Sequence, residues 1–317
     1  DFGRSKGDGD AMAWRQEMMN LDEWITQAQL RRVSSRSDLK AFGLFASNYL
    51  LTAGLLTIMA LWPNPVVIVA GTFLLGGRQL GFFVLVHECG HGTLFKNKAL
   101  NQLAGNWFAA ALTFEDMEFY ARGHLEHHRL AGTAQDPDLP NYRSYPIERA
   151  ALARKLWRDV SGQTGIKQTR GIFRALLRFN QQSTSRRLAL ARGLCVHTFF
   201  AGIFMMFGVI WLYFIWWLAL LTSFRLVSRL RQVAEHANVP DLMSADPRLN
   251  TRTIDARWFD RLMFCPLGVN FHVEHHMQAS VPIYNLGVLH DMLKHAGYYD
   301  RVTSPKSYWG MLSQVTS

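Results

Sequence analysis

Three stretches of this chain are almost free of charge over lengths that a water-soluble fold does not sustain. Residues 41–62 hold no Asp, Glu, Lys or Arg, residues 63–86 hold only Arg78, and residues 193–224 hold none. A helix needs about 20 apolar residues to cross a hydrocarbon core of roughly 30 Å. Within that core every peptide group must be satisfied inside its own segment, so these stretches read as membrane-spanning helices. The third stretch tests the topology. Its 32 residues would run about 48 Å as one helix, too long for a single crossing. With the flanks 188–192 and 225–227 it offers 40 residues, enough for two short crossings that turn near Gly208. We therefore expect an all-α, polytopic membrane protein with four spans, at about 41–62, 66–86, 188–207 and 209–227, and a helical cap from 87–187 and 228–317. No internal repeat, low-complexity tract or linker interrupts 1–317, so one domain is expected.

Charge sets the expected orientation. Residues 143–192 carry twelve Lys/Arg against Glu148 and Asp159, the whole of the formal +10; elsewhere bases and acids balance. Basic loops stay cytosolic. The uncharged turn Trp62-Pro63-Asn64-Pro65 suits the outer side. Both termini and the cap are then expected on the cytosolic side. Contact with anionic headgroups or an acidic protein is a sharper reading of the same basic segment. Nucleic acid is not expected, because no binding motif accompanies it. Residues 1–40 show an apolar rhythm (Trp14, Met18, Leu21, Trp24, Ile25) that suits an interfacial helix. The first apolar stretch is too long and begins too late to read as a signal peptide. Residues 100–114 are too short to cross and are expected at the interface.

The chemistry lies in the histidines. Nine of twelve fall in His87-Glu88-Cys89-Gly90-His91, His124-Leu125-Glu126-His127-His128, His272-Val273-Glu274-His275-His276, and His236 within Gln232-Val233-Ala234-Glu235-His236. Residues three and four apart share a helix face, so each cluster lines its imidazoles along one stripe. Eight or nine converging imidazoles exceed what one ion can hold, and two ions with positions left open fit better. Imidazole accepts iron, zinc, copper or nickel, and spacing alone does not choose among them. Three cysteines exclude an all-cysteine zinc site and a cysteine-ligated iron–sulfur cluster. Glu88, Glu126 and Glu274 are expected to orient imidazole N–H groups from behind the ligands, or else to be solvated helix-face carboxylates. His87-Glu88-x-x-His91 also spells the zinc-protease pattern. That reading needs one more ligand and leaves six clustered histidines unexplained.

Other residues have narrower readings. An arginine within a span is a functional candidate by default, so Arg78 is a candidate to bind a carboxylate or polar group of a substrate, but an internal structural pair or snorkelling is the favoured reading. Trp107, Phe108, Phe119 and Tyr120 are candidates to line a substrate tunnel, with core packing as the alternative. Trp211, Trp216 and Trp217 are expected to face lipid or its interface. His197 is read as a neutral packing residue, and His290 and His295 as having no special role.

At these clusters the sequence resembles the integral-membrane fatty-acid desaturase/hydroxylase superfamily. Its three histidine boxes match in order and spacing, and so do Asp136-Pro137-Asp138 and Val281-Pro282-Ile283-Tyr284-Asn285-Leu286 after boxes two and three. The resemblance covers about residues 40–295. It implies a mushroom-like, four-span enzyme with two irons held between spans and cap. Such enzymes use dioxygen and two external electrons to attack an unactivated C–H bond. All nine histidines would serve as metal ligands, His236 as the further ligand after the last span, with Gln232 binding through water. The lack of a His-Pro-Gly-Gly word implies no fused cytochrome b5 domain, so electrons are expected from a separate ferredoxin or cytochrome b5-type donor. The alkane-hydroxylase word Asn-Tyr-x-Glu-His-Tyr-Gly is absent. The expected function is desaturation of a fatty acyl or lipid substrate among membrane lipids. Lipid hydroxylation or carotenoid ketolation or hydroxylation is the nearer alternative, and an intramembrane zinc protease or a metal-storage protein the distant one.

Overall fold

The computed structural model describes residues 21–300, 302, 305 and 307–317, so Trp14 and Met18 lie outside the described residues. After a 3-10 turn (Leu21–Glu23), helix α1 (Gln27–Val33) leads into α2 (Asp38–Leu61) and α3 (Pro65–His91). Local chemistry sets these boundaries. The Ser37 side chain accepts from Lys40 N–H at the start of α2. Asn64 accepts from Val67 N–H at the start of α3, with Pro65 in the first turn, where its missing N–H costs nothing. Gly92 closes α3 at φ +68°, a conformation that favours glycine.

The middle of the chain forms α4 (Lys98–Phe108), α5 (Met117–Leu130), the single turn α6 (Leu139–Tyr142), α7 (Arg149–Val160) and α8 (Gln163–Leu177). Then come α9 (Thr184–Met206), α10 (Trp211–Leu221) and α11 (Ser223–His236). The remainder is α12 (Pro247–Asn250), α13 (Trp258–Met263), α14 (His272–Met277), α15 (Ile283–His295) and α16 (Tyr308–Gln314). The fold is nearly all helical, and four segments are long and apolar enough to span a membrane: α2, α3, α9 and Trp211–His236, the last comprising α10 and α11. The chain reverses between the third and fourth at Gly208 (φ +68°).

Span length places the chemistry. The 27 residues of α3 measure about 40 Å, longer than the hydrocarbon core by nearly two turns. The His87–His91 end can therefore emerge into the cap while the rest of the helix remains in lipid. The Trp211–His236 segment carries His236 at its end in the same way.

Helix α3 is the central post, packed against α2, α10 and α11 along its length. A Cβ on Gly81 would stand 2.3 Å from Asn48 Oδ1, and one on Gly77 would stand 2.8 Å from the Leu262 carbonyl. These close approaches frame Arg78, which is buried and donates to Asn48 Oδ1 (3.3 Å) and to the Leu262 carbonyl. Protein acceptors meet both terminal nitrogens of Arg78, an internal pairing instead of a substrate seat, and the side chain does not line the cavity beside the histidines. The expectation for Trp216 is corrected. It is buried against Phe82 (6.1 Å) and Phe200 (5.3 Å), because α10 packs into the bundle rather than against lipid. Of the N-terminal segment, Leu21 and Ile25 are buried and Trp24 meets Tyr298 edge-on at 5.2 Å, so these residues pack on the cap.

Candidate metal centre

Four helices deliver the nine clustered histidines to one place. Ring nitrogens of His87, His91, His124 and His275 lie within 4.8 Å of one another, and those of His127, His236 and His276 form a second such group. His128 stands at the join. Its Nε2 is 2.9 Å from His124 Nε2 and 2.9 Å from His275 Nε2, and its ring stacks on His276 at 4.3 Å. His272 Nε2 is 3.0 Å from His236 Nε2. Boxes two and three thus contribute to both groups, box one to the first and His236 to the second, and only the folded cap brings them together.

The spacing fits a metal. Four Nε2···Nε2 separations here are 2.8–3.0 Å, and His128 Nε2 and His275 Nε2 each stand that close to two other ring nitrogens, more than an atom that either donates or accepts once can satisfy by hydrogen bonding. Ligands at about 2.0–2.1 Å from one ion stand about 2.9 Å apart along the edge of a six-coordinate shell. His91 Nε2, His272 Nδ1 and His276 Nε2 are buried with no hydrogen-bond partner. Protein interiors do not leave such atoms unsatisfied without a reason. Burial first, and then neighbouring imidazoles, push His124, His128, His272, His275 and His276 well below the ordinary histidine range. Their rings are therefore neutral, the form that ligates.

Outer partners hold several rings by Nδ1 and leave Nε2 inward. His127 Nδ1 lies 2.8 Å from Asp136 Oδ1, and Tyr142 donates to the other carboxylate oxygen. Burial raises Asp136, but the hydrogen bonds from His127 and Tyr142 outweigh it and hold the carboxyl below its ordinary range. Tyr120 Oη is 3.1 Å from His87 Nδ1, and the Asn250 carbonyl is 3.4 Å from His236 Nδ1.

None of the three box glutamates hydrogen-bonds a ring of the centre, and Glu126 follows the alternative reading of a solvated helix-face carboxylate. Glu126 pairs with Arg129 on the exposed side of α5. Glu274 is fully buried but turned from the rings; it accepts from Thr253 Oγ1 (2.6 Å), His290 Nδ1 (2.5 Å) and Tyr299. Glu88 Oε2 accepts from the Ile283 N–H at 3.1 Å, and its Oε1 is 3.7 Å from His87 Nε2, beyond hydrogen-bond reach. The reason is helical phase: the glutamate follows the first His of boxes two and three by two residues, about 200° around the helix. Asp136 takes the orienting role instead, and its signal was the Asp136-Pro137-Asp138 word. His290, read as idle, anchors Glu274. Sequence reading missed that contact because nothing local joins α15 to α14.

Beside the histidines a cavity of about 460 Å³ opens between α3, α5, α8 and α11, reaching His124, His127, His236 and His272. Tyr120, Phe119 and Gln232 line it. Trp107 and Phe108 do not; they lie on the outer surface of α4, 38% and 52% exposed. His197 packs as expected, stacked on Phe114 at 4.7 Å with Tyr213 and the Leu112 carbonyl at its nitrogens.

Four span-length helices capped by nine converging imidazoles define a class: a nearly all-helical, membrane-type fold with a histidine cluster spaced to hold metal ions. The fatty acid desaturase family model matches residues 61–307, and the chain belongs to that family. It is 25% identical to the dihydrorhizobitoxine desaturase of Bradyrhizobium elkanii over 67% of this chain and 64% of that protein. It is 25% identical to the sn-1 oleoyl-lipid 12-desaturase of a Synechocystis strain over 76% of this chain and 72% of that protein. The beta-carotene ketolase of a Paracoccus strain is 31% identical over 33% of this chain and 46% of its own length. The chain thus spans a little under two thirds of the first of these relatives and under half of the ketolase.

Proposed function

We propose that the chain is a dioxygen-dependent, di-iron desaturase acting on a fatty acyl or lipid-like substrate with electrons from an external ferredoxin or cytochrome b5-type donor. The observation that carries this reading is the convergence of nine imidazoles into two adjoining groups with ring nitrogens 2.8–3.0 Å apart. His87, His91, His124, His128 and His275 would hold one ion, and His127, His236, His272 and His276 the other. Gln232, on the cavity wall, would bind the second through water. Iron bound there supplies reductive activation of dioxygen and removal of hydrogen from an unactivated C–H bond.

The chain's own residues do the rest. With His127 Nδ1–H donating to Asp136 and His87 Nδ1–H to Tyr120, both rings keep an unprotonated Nε2 toward the centre. Tyr120, Phe119 and Phe83 form the wall against which a substrate methylene is positioned. The shift between alkene and alcohol as product rests on small differences in that placement. The hydroxylase or ketolase reading keeps the support of the carotene ketolase similarity. The protease reading has none from geometry, since Glu88 is buried and held by the Ile283 N–H instead of facing a water beside the rings. The basic 143–192 segment supports a cytosolic histidine side.

Metal analysis of the purified protein should find two irons per chain, and a host expressing it should accumulate a newly unsaturated lipid or acid. One zinc per chain with no iron would remove the reading. An alcohol or ketone product in place of the alkene would move it to the alternative.

A further inference from the structure

The cavity beside the histidines is not the greasy slot that a bare hydrocarbon would fill. Along α11 one face presents Arg225, Ser228, Arg229, Gln232 and His236 to it, at i, i+3, i+4, i+7 and i+11. The charges on this stripe are not equivalent. Arg229 is satisfied by both oxygens of Asp159, and Arg231 by Glu235 at 2.6 Å. Arg225 makes no hydrogen bond or ion pair among the described residues, and its Nε is buried without a partner. Its guanidinium lies only against the Phe224 ring, at 4.8 Å. Ser228 Oγ, one turn on, is also buried and unpartnered. Glu115 lines the same cavity but does not come within 4 Å of Arg225 to form an ion pair. A buried, unpartnered guanidinium N–H beside a buried, unpartnered hydroxyl is costly unless a ligand completes both.

We propose that Arg225 and Ser228 seat an anionic group of the substrate, a carboxylate or phosphate, and so measure the distance from that group to the carbon that reacts. This rests on the reading that the cavity is where substrate meets the metal ligands. Seven helical residues separate Arg225 from Gln232 and eleven separate it from His236, about 10 Å and 16 Å along the axis. The substrate is then an amphiphile whose charged end enters this cavity, and the reacting carbon lies that far from the charge. An uncharged hydrocarbon, such as a carotene, leaves Arg225 unsatisfied.

The test is direct binding to the full-length, iron-loaded protein in non-ionic detergent, using oleate, methyl oleate, lysophosphatidate and inorganic phosphate as probes. Wild type should prefer oleate to methyl oleate by about tenfold, as one charge-assisted hydrogen-bonded pair allows. Arg225→Gln should erase that preference, Arg225→Lys should keep part of it, and Ser228→Ala should reduce it severalfold. Glu115→Gln should strengthen oleate binding, because it removes the carboxylate that competes most strongly for Arg225; Asp159, the other that acts on Arg225, is held by Arg229. Tighter binding of lysophosphatidate than oleate identifies a lipid phosphate as the natural group; the reverse identifies a free carboxylate. Binding of inorganic phosphate alone, with no preference between acid and ester, overturns the proposal. So does a preference that survives Arg225→Gln. Iron content and melting temperature are read on every variant: a seat that fails with two irons still bound refutes this inference alone, whereas missing iron in wild type refutes the function on which it rests.

Discussion

Boxes two and three are nearly the same word, His124-Leu125-Glu126-His127-His128 against His272-Val273-Glu274-His275-His276, yet their glutamates live in opposite worlds. Both helices turn three imidazoles to the centre, and both aim the glutamate to the other side. For α5 that other side is solvent, where Glu126 meets Arg129 one turn on. For α14 it is the interior of the cap, where Thr253, His290 and Tyr299 converge on Glu274. The comparison separates two levels of cause. Local helical geometry decides which residues face the metal, and the packing around each helix decides what the remaining residue does.

Removing a ring should affect both boxes equally. His128→Ala and His276→Ala are each expected to abolish turnover and to release iron, a loss larger than the roughly 10–100-fold cost of disturbing an outer partner. Either variant retaining full iron and full activity would take that ring out of the centre. The glutamates should then part company. Glu274→Ala strands three donors in a buried site and should cost about 3 kcal/mol of stability, read as a lowered melting temperature with tertiary contacts around α15 loosened. If it melts like wild type, the α14–α15 anchor is not a stabilising element. Asp136→Asn keeps shape but weakens the hold on His127, so iron affinity should fall by about 10–100-fold while melting changes little. Unchanged affinity would assign Asp136 to the loop alone. Glu126→Ala removes only an exposed ion pair and should stay within about 0.5 kcal/mol of wild type. A large effect there would show that α5 is covered by something in the membrane or by a partner.

Much of the architecture could be read without coordinates, and the reasons differ from element to element. The spans were legible because lipid forbids charge over 20 residues, a rule written in composition. The reversal was legible as well, near Gly208, because two crossings had to fit in 40 residues. The nine histidines were legible because three- and four-residue spacing is a property of one helix. Arg78 was conspicuous but its partner was not: the Leu262 carbonyl is 184 residues away. Trp216 looked like a lipid-facing aromatic because apolar residues on a span carry no mark of which side meets protein.

The sequence by itself determined that the chain carries helices long and apolar enough to cross a membrane and that its histidines come in ligand-spaced stripes. Both follow from short-range rules, the solubility of a segment and the pitch of a helix. Only the tertiary structure decided that the stripes meet, that Asp136 rather than the box glutamates steadies a ring, and that Arg225 keeps a buried N–H without a hydrogen-bond partner on the cavity wall. The meeting of the stripes joins segments far apart in the chain, and even Asp136, nine residues from His127, reaches its ring only because the loop after α5 folds back; no local pattern records which surfaces the folded core presses together.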